Sequence, residues 1–340
     1  MDTGITIIIC TYNGAPRLPE TLRHIACQQV KPDVAWEVLV VDNASSDGSA
    51  ELAATTWRKL SCPAPLKVLH QPQKGLTYAR ELAMQEAAYE FVLFCDDDNW
   101  LSPGYVDLAY DLMQENPGIG VLGGFGELVF EQEPPGWMHY LTGLASGPQA
   151  VTSGKTQYNA VYGAGCIMRK AVFEKLRKAG FHPLLSDRRG KKLSAGGDYE
   201  LCYAAALAGY EIWYDERLRF KHFIPQQRIS AAYYDRLMKE GAESLAVLIP
   251  YRLRVNQNCK DALYFNIHLL KVVIFYFRGL VMLLLTKTTS AFRKKETTYL
   301  KLKLLSFVYK LYALRNYTSM KQNFRKVLDL ERRLNSSRLL

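Results

Sequence analysis

Three consecutive carboxylates, Asp96, Asp97 and Asp98, close the apolar run from Phe91 to Cys95. Side chains alternate along an extended segment, so Asp96 and Asp98 point to one side and Asp97 to the other. Two carboxylates on one side can share a divalent cation. Hard oxygen ligands that leave coordination positions open suit Mg2+ or Mn2+ bridging to a phosphorylated substrate. The plain alternative is a strand-to-loop turn in which aspartates cap backbone amides. Asp97, facing away, is the member expected to tolerate substitution best.

A further aspartate, Asp42, ends the run from Glu37 to Val41 and is followed by Asn43, Ala44, Ser45, Ser46, Asp47 and Gly48. Small polar residues of this kind suit a helix N-cap. Asp42 could accept a hydrogen bond from a nucleobase ring N–H while Tyr12 offers a stacking face, or it could cap local amides. The elements that must position these groups alternate. Strands are expected at Ile5–Cys10, Glu37–Val41, Leu66–Leu69 and Phe91–Cys95, with helices at Arg17–Gln29, Ser49–Lys59 and Tyr78–Ala88 between them. Repeated β-α units imply a doubly wound parallel sheet, whose ligands bind at the carboxyl ends of the strands. The loops Thr11–Gly14, Asp42–Ser49 and Asp96–Asn99 would converge there. After Gly123 the regularity weakens, and Glu131–Gly154 reads as a long surface loop. An ordered block over Tyr158–Pro225 and one helix over Ala231–Leu248 follow.

With 340 residues, 49% of them hydrophobic, the chain can bury a full core and fits one large α/β domain plus an appendage. The seven cysteines are scattered without a Cys-x-x-Cys pair, which argues against zinc and against a disulfide framework. The start lacks the basic region and cleavage site of a signal peptide, so a cytoplasmic location is expected. The net charge of +10 belongs to the tail, since residues 286–340 hold fourteen Lys/Arg against three Asp/Glu. A global basic field would suggest nucleic acid, but a basic segment beside a neutral domain points to an anionic membrane surface or a solvated helix. Asp261–Lys287 is the most apolar stretch, interrupted by Lys271 and Arg278. Each central cation would cost roughly 2.5–3.5 kcal/mol in a membrane span, so a helix lying in or on the surface is favoured over a span or an internal helix. The basic residues Arg293–Lys295 and Lys301–Lys310 strengthen that reading.

The segments Thr11–Gly14, Val41–Gly48, Gly75–Arg80 and Asp96–Asp98 follow one another in the order and at about the spacing of family 2 glycosyltransferases, which the chain resembles over residues 3–225. The resemblance implies a GT-A fold, an α/β, Rossmann-like, mostly parallel sheet flanked by helices, over residues 1–250. Residues 1–120 would form the nucleotide-binding half and 121–230 the acceptor and catalytic half. A helical, basic, membrane-associating extension would occupy 251–340. It implies a nucleotide-diphosphate sugar donor and a divalent cation, Mn2+ or Mg2+. By this resemblance Thr11, Tyr12, Asn13, Asp96 and Asp97 belong to the donor site, Asp42 contacts the base and Arg80 lies near the nucleotide. Asp98 is then the direct metal ligand, with Asp96 nearer the ribose and metal shell.

Later segments extend it. Gly165, in Tyr162–Arg169, matches a glycine that lets backbone approach the donor or acceptor sugar. Gly196–Leu201 is similar to the family's Gly-Glu-Asp-x-Glu-Leu element with Gly197 in place of the first acid, and Asp198 keeps the register of the catalytic base. Asp198 could at the same time cap a helix Tyr199–Ala208. His222 occupies a position where several members bring a histidine to the metal or diphosphate, although a lone histidine is as readily a packed one. Arg228 could fork a phosphate, and Trp137 could stack on a sugar or simply anchor its loop.

Metal at Asp96 and Asp98 would neutralise the leaving diphosphate while Asp198 takes the proton of an acceptor hydroxyl, with inversion at the anomeric carbon. A glycan or lipid-linked acceptor in polysaccharide or cell-envelope assembly is expected, with the enzyme peripheral on the inner face of the cell membrane. Three other readings account for less. A nucleotide-sugar pyrophosphorylase needs a glycine-rich basic loop where Thr11–Leu18 has only Arg17, and a dinucleotide oxidoreductase needs a Gly-x-Gly-x-x-Gly that is missing there. A non-enzymatic membrane-surface binder leaves the strand-end carboxylates unexplained.

Overall fold

The computed structural model describes residues 2–140, 143–188, 192–287 and 297–336. Its first half is the expected β-α alternation. Strand β1 (Asp2–Thr11) pairs in parallel with β2 (Trp36–Asp42) and β4 (Tyr89–Phe94), and β3 (Leu66–His70) lies beyond β2. Alternate side chains enter separate cores: Ile8, Leu39, Val41, Val92 and Phe94 one, Ile5, Ile7, Ile9, Val38 and Val40 the other. Both faces are therefore covered, which is why these strands read as continuous apolar runs. Helices α1 (Leu18–Ala26) and α2 (Ser49–Leu60) pack on one face, and α3 (Leu76–Glu86) on the other.

Beyond β4 the parallel pattern ends, and the sheet is mixed where a mostly parallel one was expected. After β5 (Asn99–Leu101) and α4 (Tyr105–Glu115) come β6 (Ile119–Phe130), β7 (Gly154–Lys155), β8 (Ile167–Arg169), α5 (Lys170–Lys178), α6 (Gly197–Leu207) and β9 (Glu211–Ile224). The strand order is β3-β2-β1-β4-β8-β6-β9-β5, with β7 on β9. β8 runs antiparallel to both neighbours, as do β5 and β7 against β9, while β6 and β9 are parallel. β6 passes through the stretch where the sequence pattern weakens. Its glycines are imposed by close packing: a Cβ on Gly124 would stand 2.3 Å from the Leu218 carbonyl oxygen, and one on Gly126 2.5 Å from that of Ala145.

The helix expected over Ala231–Leu248 is two, α7 (Ala231–Glu243) and α8 (Leu245–Gln257). Buried Ser244 sits at the break and its hydroxyl donates to the Ala195 carbonyl at 2.6 Å. Helices α9 (Ala262–Lys287), α10 (Thr297–Ala313) and α11 (Tyr317–Ser336) complete the chain. A boundary at residue 250 would cut α8. The C-terminal helices dock on the sheet domain: Val327, Leu330 and Leu334 of α11 join the core of Val172 and Leu176, and Arg254 pairs with Glu331. Ala262–Leu285 is long and apolar enough to cross a membrane by length and composition, and only 11% of its most apolar stretch is buried. Arg293–Lys295 lies outside the described residues.

Candidate active site

The loops after β1 and β2 are laced together before any ligand is considered. Asn13 adopts a left-handed turn (φ 50°), donates its amide to Ser45 Oγ at 3.0 Å and accepts the Ser46 amide on Oδ1 at 2.9 Å. Gly14 N–H donates to Ser49 Oγ at 3.0 Å. Asn13, expected among the donor-binding residues, spends its side chain on this lacing. Buried Asp42 accepts the Ser45 amide on one oxygen and lies 3.1 Å from His70 Nδ1 with the other. Its neighbour Asn43 borders the cavity, as do Thr11 and Tyr12. The Tyr12 ring is partly exposed, with Lys74 Nζ 5.0 Å from its centroid.

Within the aspartate triplet the members divide, though not as the alternation alone suggests. Asp97 is buried and accepts from Nε and Nη2 of Arg17 at 2.9 Å each and from Thr11 Oγ1 at 2.7 Å, while its carbonyl accepts from Thr21 Oγ1. It locks β4 to β1 and α1, and the expectation that it varies most freely does not fit this environment. The Asp96 side chain has no hydrogen-bond partner among the described residues and faces the cavity. Burial and the Asp98 charge push it above the ordinary carboxylate range, with Arg80 and His222 pulling back. Burial also opposes the charge on Asp98, but His222, Arg228, Arg17 and Arg188 outweigh it and hold that carboxyl below the ordinary range. Arg228 Nη1 donates to Asp98 Oδ2 at 2.8 Å.

His222 reaches the site from β9, opposite Asn99 of β5. Its Nδ1 lies 3.2 Å from the Ala145 carbonyl oxygen and its Nε2 3.7 Å from Asp98 Oδ1. A ring nitrogen beside a carbonyl carries a proton, so Nε2 is the atom that His222 presents toward Asp98. Among the described residues no cluster of three His, Cys, Asp or Glu side chains forms a ready cation cage. A carboxylate and an imidazole Nε2 nonetheless fit a divalent ion whose other ligands would come from phosphate and water.

The cavity wall also holds Asp198. It is the second residue of α6 and not its cap; Gly196, at φ 120°, has that place. Asp198 Oδ2 accepts the Gly163 amide at 2.7 Å and Oδ1 the Tyr199 amide at 2.9 Å. Burial and nearby Asp187 raise its proton affinity, which Arg80 and the two amides moderate. Of the glycines within Tyr162–Arg169 it is Gly163 that lines the cavity, where a Cβ would lie 3.1 Å from both Arg80 Nη2 and Asp198 Cβ. Gly165, the glycine expected to admit a sugar, is instead in a left-handed turn (φ 68°) beneath Tyr105 and Phe220.

Asp187 went unread in the sequence. Buried and left-handed (φ 50°), it accepts the Gly197 amide at 2.7 Å and lies 3.4 Å from Arg80 Nη1. A Cβ on Gly197 would come within 2.3 Å of the Asp187 carboxylate, which explains why an acid is missing from that place. Glu200 fixes the approach to Asp187 by accepting the amides of Leu184 and Leu185 at 2.9 Å each. Burial pushes Glu200 up to about 7 despite those bonds. Arg80 stays protonated: burial works against its charge, but Asp187, Asp96 and Asp198 more than compensate. Burial raises the Cys10 thiol, which borders the same space, to about 12, too high for a thiolate nucleophile.

One cavity of about 1250 Å3 joins these groups, and Asp96, Asp98, Gly163 and Asp198 all line it. Trp137 is not on its wall; it packs edge-on against Tyr234, with centroids 5.9 Å apart. The space exceeds what one small ligand needs, so two substrates can meet in it.

A family model described as Glycosyl transferase family 2 matches residues 6–177. The cholesterol galactosyltransferase of Borreliella burgdorferi is 28% identical over 107 residues, 32% of this chain and 28% of that protein. The poly(ribitol-phosphate) beta-N-acetylglucosaminyltransferase TarS of Staphylococcus aureus is 33% identical over 99 residues, 28% of this chain and 16% of TarS. The chain thus spans less than a third of the length of these relatives. The crystal structure of S. aureus TarS 1-349 with UDP superposes with a TM-score of 0.55 at 18% identity, covering 97% of this chain and 91% of that one. A mannosyltransferase from Pyrobaculum calidifontis, in complex with GDP-Man and Mn2+, gives 0.57 at 16% identity, covering 92% and 88%. At such identities the superpositions speak for the fold.

Proposed function

The chain belongs to glycosyl transferase family 2, and from that premise we propose that it is a metal-dependent, inverting glycosyltransferase moving a sugar from a nucleotide-diphosphate sugar to an acceptor hydroxyl. One observation carries the reading: Asp198, held by two backbone amides, shares a single cavity with the Asp96, Asp98 and His222 group. Asp98 and His222, with Asp96 beside them, would hold Mn2+ or Mg2+, which when bound supplies positive charge to the leaving diphosphate. The imidazole in the set favours Mn2+. Tyr12 and Asp42 would take the nucleoside, and Arg228 has guanidinium N–H groups beyond its Asp98 bond to offer a phosphate.

Asp198 acts on the acceptor. Its proton affinity, raised by burial and Asp187, makes it a stronger base than a surface carboxylate. As the acceptor oxygen bonds to the anomeric carbon, the bond to the phosphate oxygen breaks and the acceptor proton passes to Asp198. A single displacement of this kind inverts the anomeric centre and needs no covalent enzyme intermediate. TarS is by its name a poly(ribitol-phosphate) glycosyltransferase, which supports a role in cell-envelope glycan assembly. The outward apolar side chains of α9, among them Ile267, Ile274 and Phe277, support a peripheral place on the cytoplasmic membrane face. The test is a screen of nucleotide-sugars for nucleoside diphosphate release with Mn2+ or Mg2+ and after chelation. Release that needs the cation is expected; turnover unaffected by chelation would refute the metal's role.

A further inference from the structure

Arg80 stands among three carboxylates. Its guanidinium carbon lies 5.4 Å from the centroid of the Phe94 ring, and the charges of Asp187, Asp96 and Asp198 surround it. Only Asp187 is close enough to hold it. Asp187 Oδ2 is 3.4 Å from Arg80 Nη1, whereas among the described residues Arg80 makes no ion pair within 4.0 Å with Asp96 or Asp198. The gap toward Asp198 is nonetheless narrow. A Cβ on Gly163 would reach both sides of it, at 3.1 Å from Arg80 Nη2 and 3.5 Å from Asp198 Oδ2. The Arg80 side chain is 18% exposed and that of Asp187 7%, so water screens little of the attraction between cation and carboxylate.

The segment that carries Asp187 is tied to both helices involved. Asp187 itself adopts a left-handed φ of 50°, which aspartate tolerates better than most residues. From α3, which bears Arg80, Thr77 Oγ1 donates to the Leu185 carbonyl at 3.3 Å and the Leu76 amide to the Arg188 carbonyl at 3.1 Å. From α6, which bears Asp198, Glu200 accepts the amides of Leu184 and Leu185. Asp187 Oδ1 takes the Gly197 amide, the first N–H of α6, and so caps a helix whose own cap residue, Gly196, has no side chain to do it.

A carboxylate paired with a guanidinium is a weaker base. Arg80 closing on Asp198 would occupy the lone pair that an acceptor proton needs, and Asp198 already spends one on each of two backbone amides. We propose that Asp187 is a positioning residue that keeps Arg80 engaged and thereby leaves Asp198 free to accept a proton. The inference rests on the transferase reading above and adds to that reaction a residue acting through another. Position 197 offers a second route to the same end. A Cβ there would lie 2.3 Å from Asp187 Oδ2, about as far as a carboxylate oxygen stands from the Cβ of an aspartate. With Asp187 removed, Gly197→Asp would bring an oxygen to the place that Asp187 Oδ2 now fills.

The test measures kcat and the nucleotide-sugar KM by nucleoside diphosphate release from UDP-, GDP-, CDP- and dTDP-sugars, at a pH where Asp198 is ionised in every variant. Asp187→Asn keeps an oxygen for the Gly197 amide and loses the charge that holds Arg80. Its kcat should fall by roughly tenfold to a hundredfold, the worth of one misplaced charged hydrogen bond, with KM little changed. Asp187→Ala combined with Gly197→Asp should recover most of the rate that Asp187→Ala alone loses. In an Arg80→Gln background Asp187→Asn should cost nothing further, because no cation is left to close on the base. An unchanged kcat in Asp187→Asn would overturn the proposal. So would a loss confined to KM, a loss of the same size in the Arg80→Gln background, or no recovery in the combined variant. Release from none of the donors by the unmodified chain would sink the transferase reading itself, whereas release indifferent to Asp187→Asn would sink this inference alone.

Discussion

Replacing Asp97 with alanine should unfold the protein more readily than any other change in the aspartate triplet. The side chain is 10% exposed and its partner Arg17 19% exposed, so neither group is well solvated once the pair is broken. Removing one member of a buried, bidentate ion pair costs about 3–5 kcal/mol, and water reaching Arg17 keeps the loss near the lower end. Thr11 Oγ1 also loses its acceptor, a further cost of about 1 kcal/mol. The net expectation is about 3–4 kcal/mol. With an m-value of about 3 kcal/mol/M, the urea midpoint falls by roughly 1 M. Asp96→Ala is the matched comparison, since Asp96 makes no side-chain hydrogen bond to a described residue and is repelled by Asp98. Its midpoint should move by less than about 0.2 M, a surface-like change of about 0.5 kcal/mol or less, while turnover is lost. Urea unfolding followed by tryptophan fluorescence measures both. Equal midpoints for Asp97→Ala and the unmodified chain, or a larger loss for Asp96→Ala, would refute the division of roles within the triplet.

Asp187→Asn should move the acidic limb of the kcat/KM profile to lower pH. Asp198 must be ionised to accept a proton, its affinity is raised by burial and then by Asp187, and so activity is lost as pH falls through a value above the ordinary carboxylate range. Without the Asp187 charge that value drops; an unmoved limb would detach Asp187 from the base. Gly197→Glu should destabilise the chain by about 1–3 kcal/mol through its clash with Asp187, and most of that cost should vanish in an Asp187→Ala background, which a double-mutant cycle of urea midpoints would show. Phe277→Ala, on the outward side of α9, should weaken partition to anionic vesicles by roughly tenfold to a hundredfold, since burying such a side chain is worth about 1.5–3 kcal/mol; unchanged vesicle sedimentation would count against a surface-lying helix.

The first half of the fold was legible because β1, β2 and β4 are buried on both faces and their continuous apolar runs leave no competing pattern. Beyond Phe94 the reading weakened for identifiable reasons. β8 has three residues and β7 two, too few to show a period, and the glycines of β6 answer to neighbouring carbonyls that no local pattern announces. Among site residues, those at strand ends or a helix start stood out by type and place: Asp42, Asp96, Asp98 and Asp198. Asp187 sits in an irregular segment between α5 and α6, and its partners Arg80 and Gly197 lie 107 and 10 positions away. Arg17 was visible only as a lone cation, since its tie to Asp97 spans 80 positions. Alternation does not carry through the turn at Asp97 and Asp98, where all three carboxylates border the cavity, and it could not tell that Arg17 and Thr11 were waiting for Asp97.

The most direct test of the central claim is the turnover of Asp198→Asn against that of the unmodified chain, with the nucleotide-sugar and cation that support release. The substitution keeps the size of the side chain and an oxygen for the Gly163 amide, so nucleotide binding measured by calorimetry should be retained. Sugar transfer is expected to fall by about 10²-fold or more, the usual worth of a positioned base. Transfer at the unmodified rate with nucleotide binding intact would contradict the assignment of Asp198 as the base.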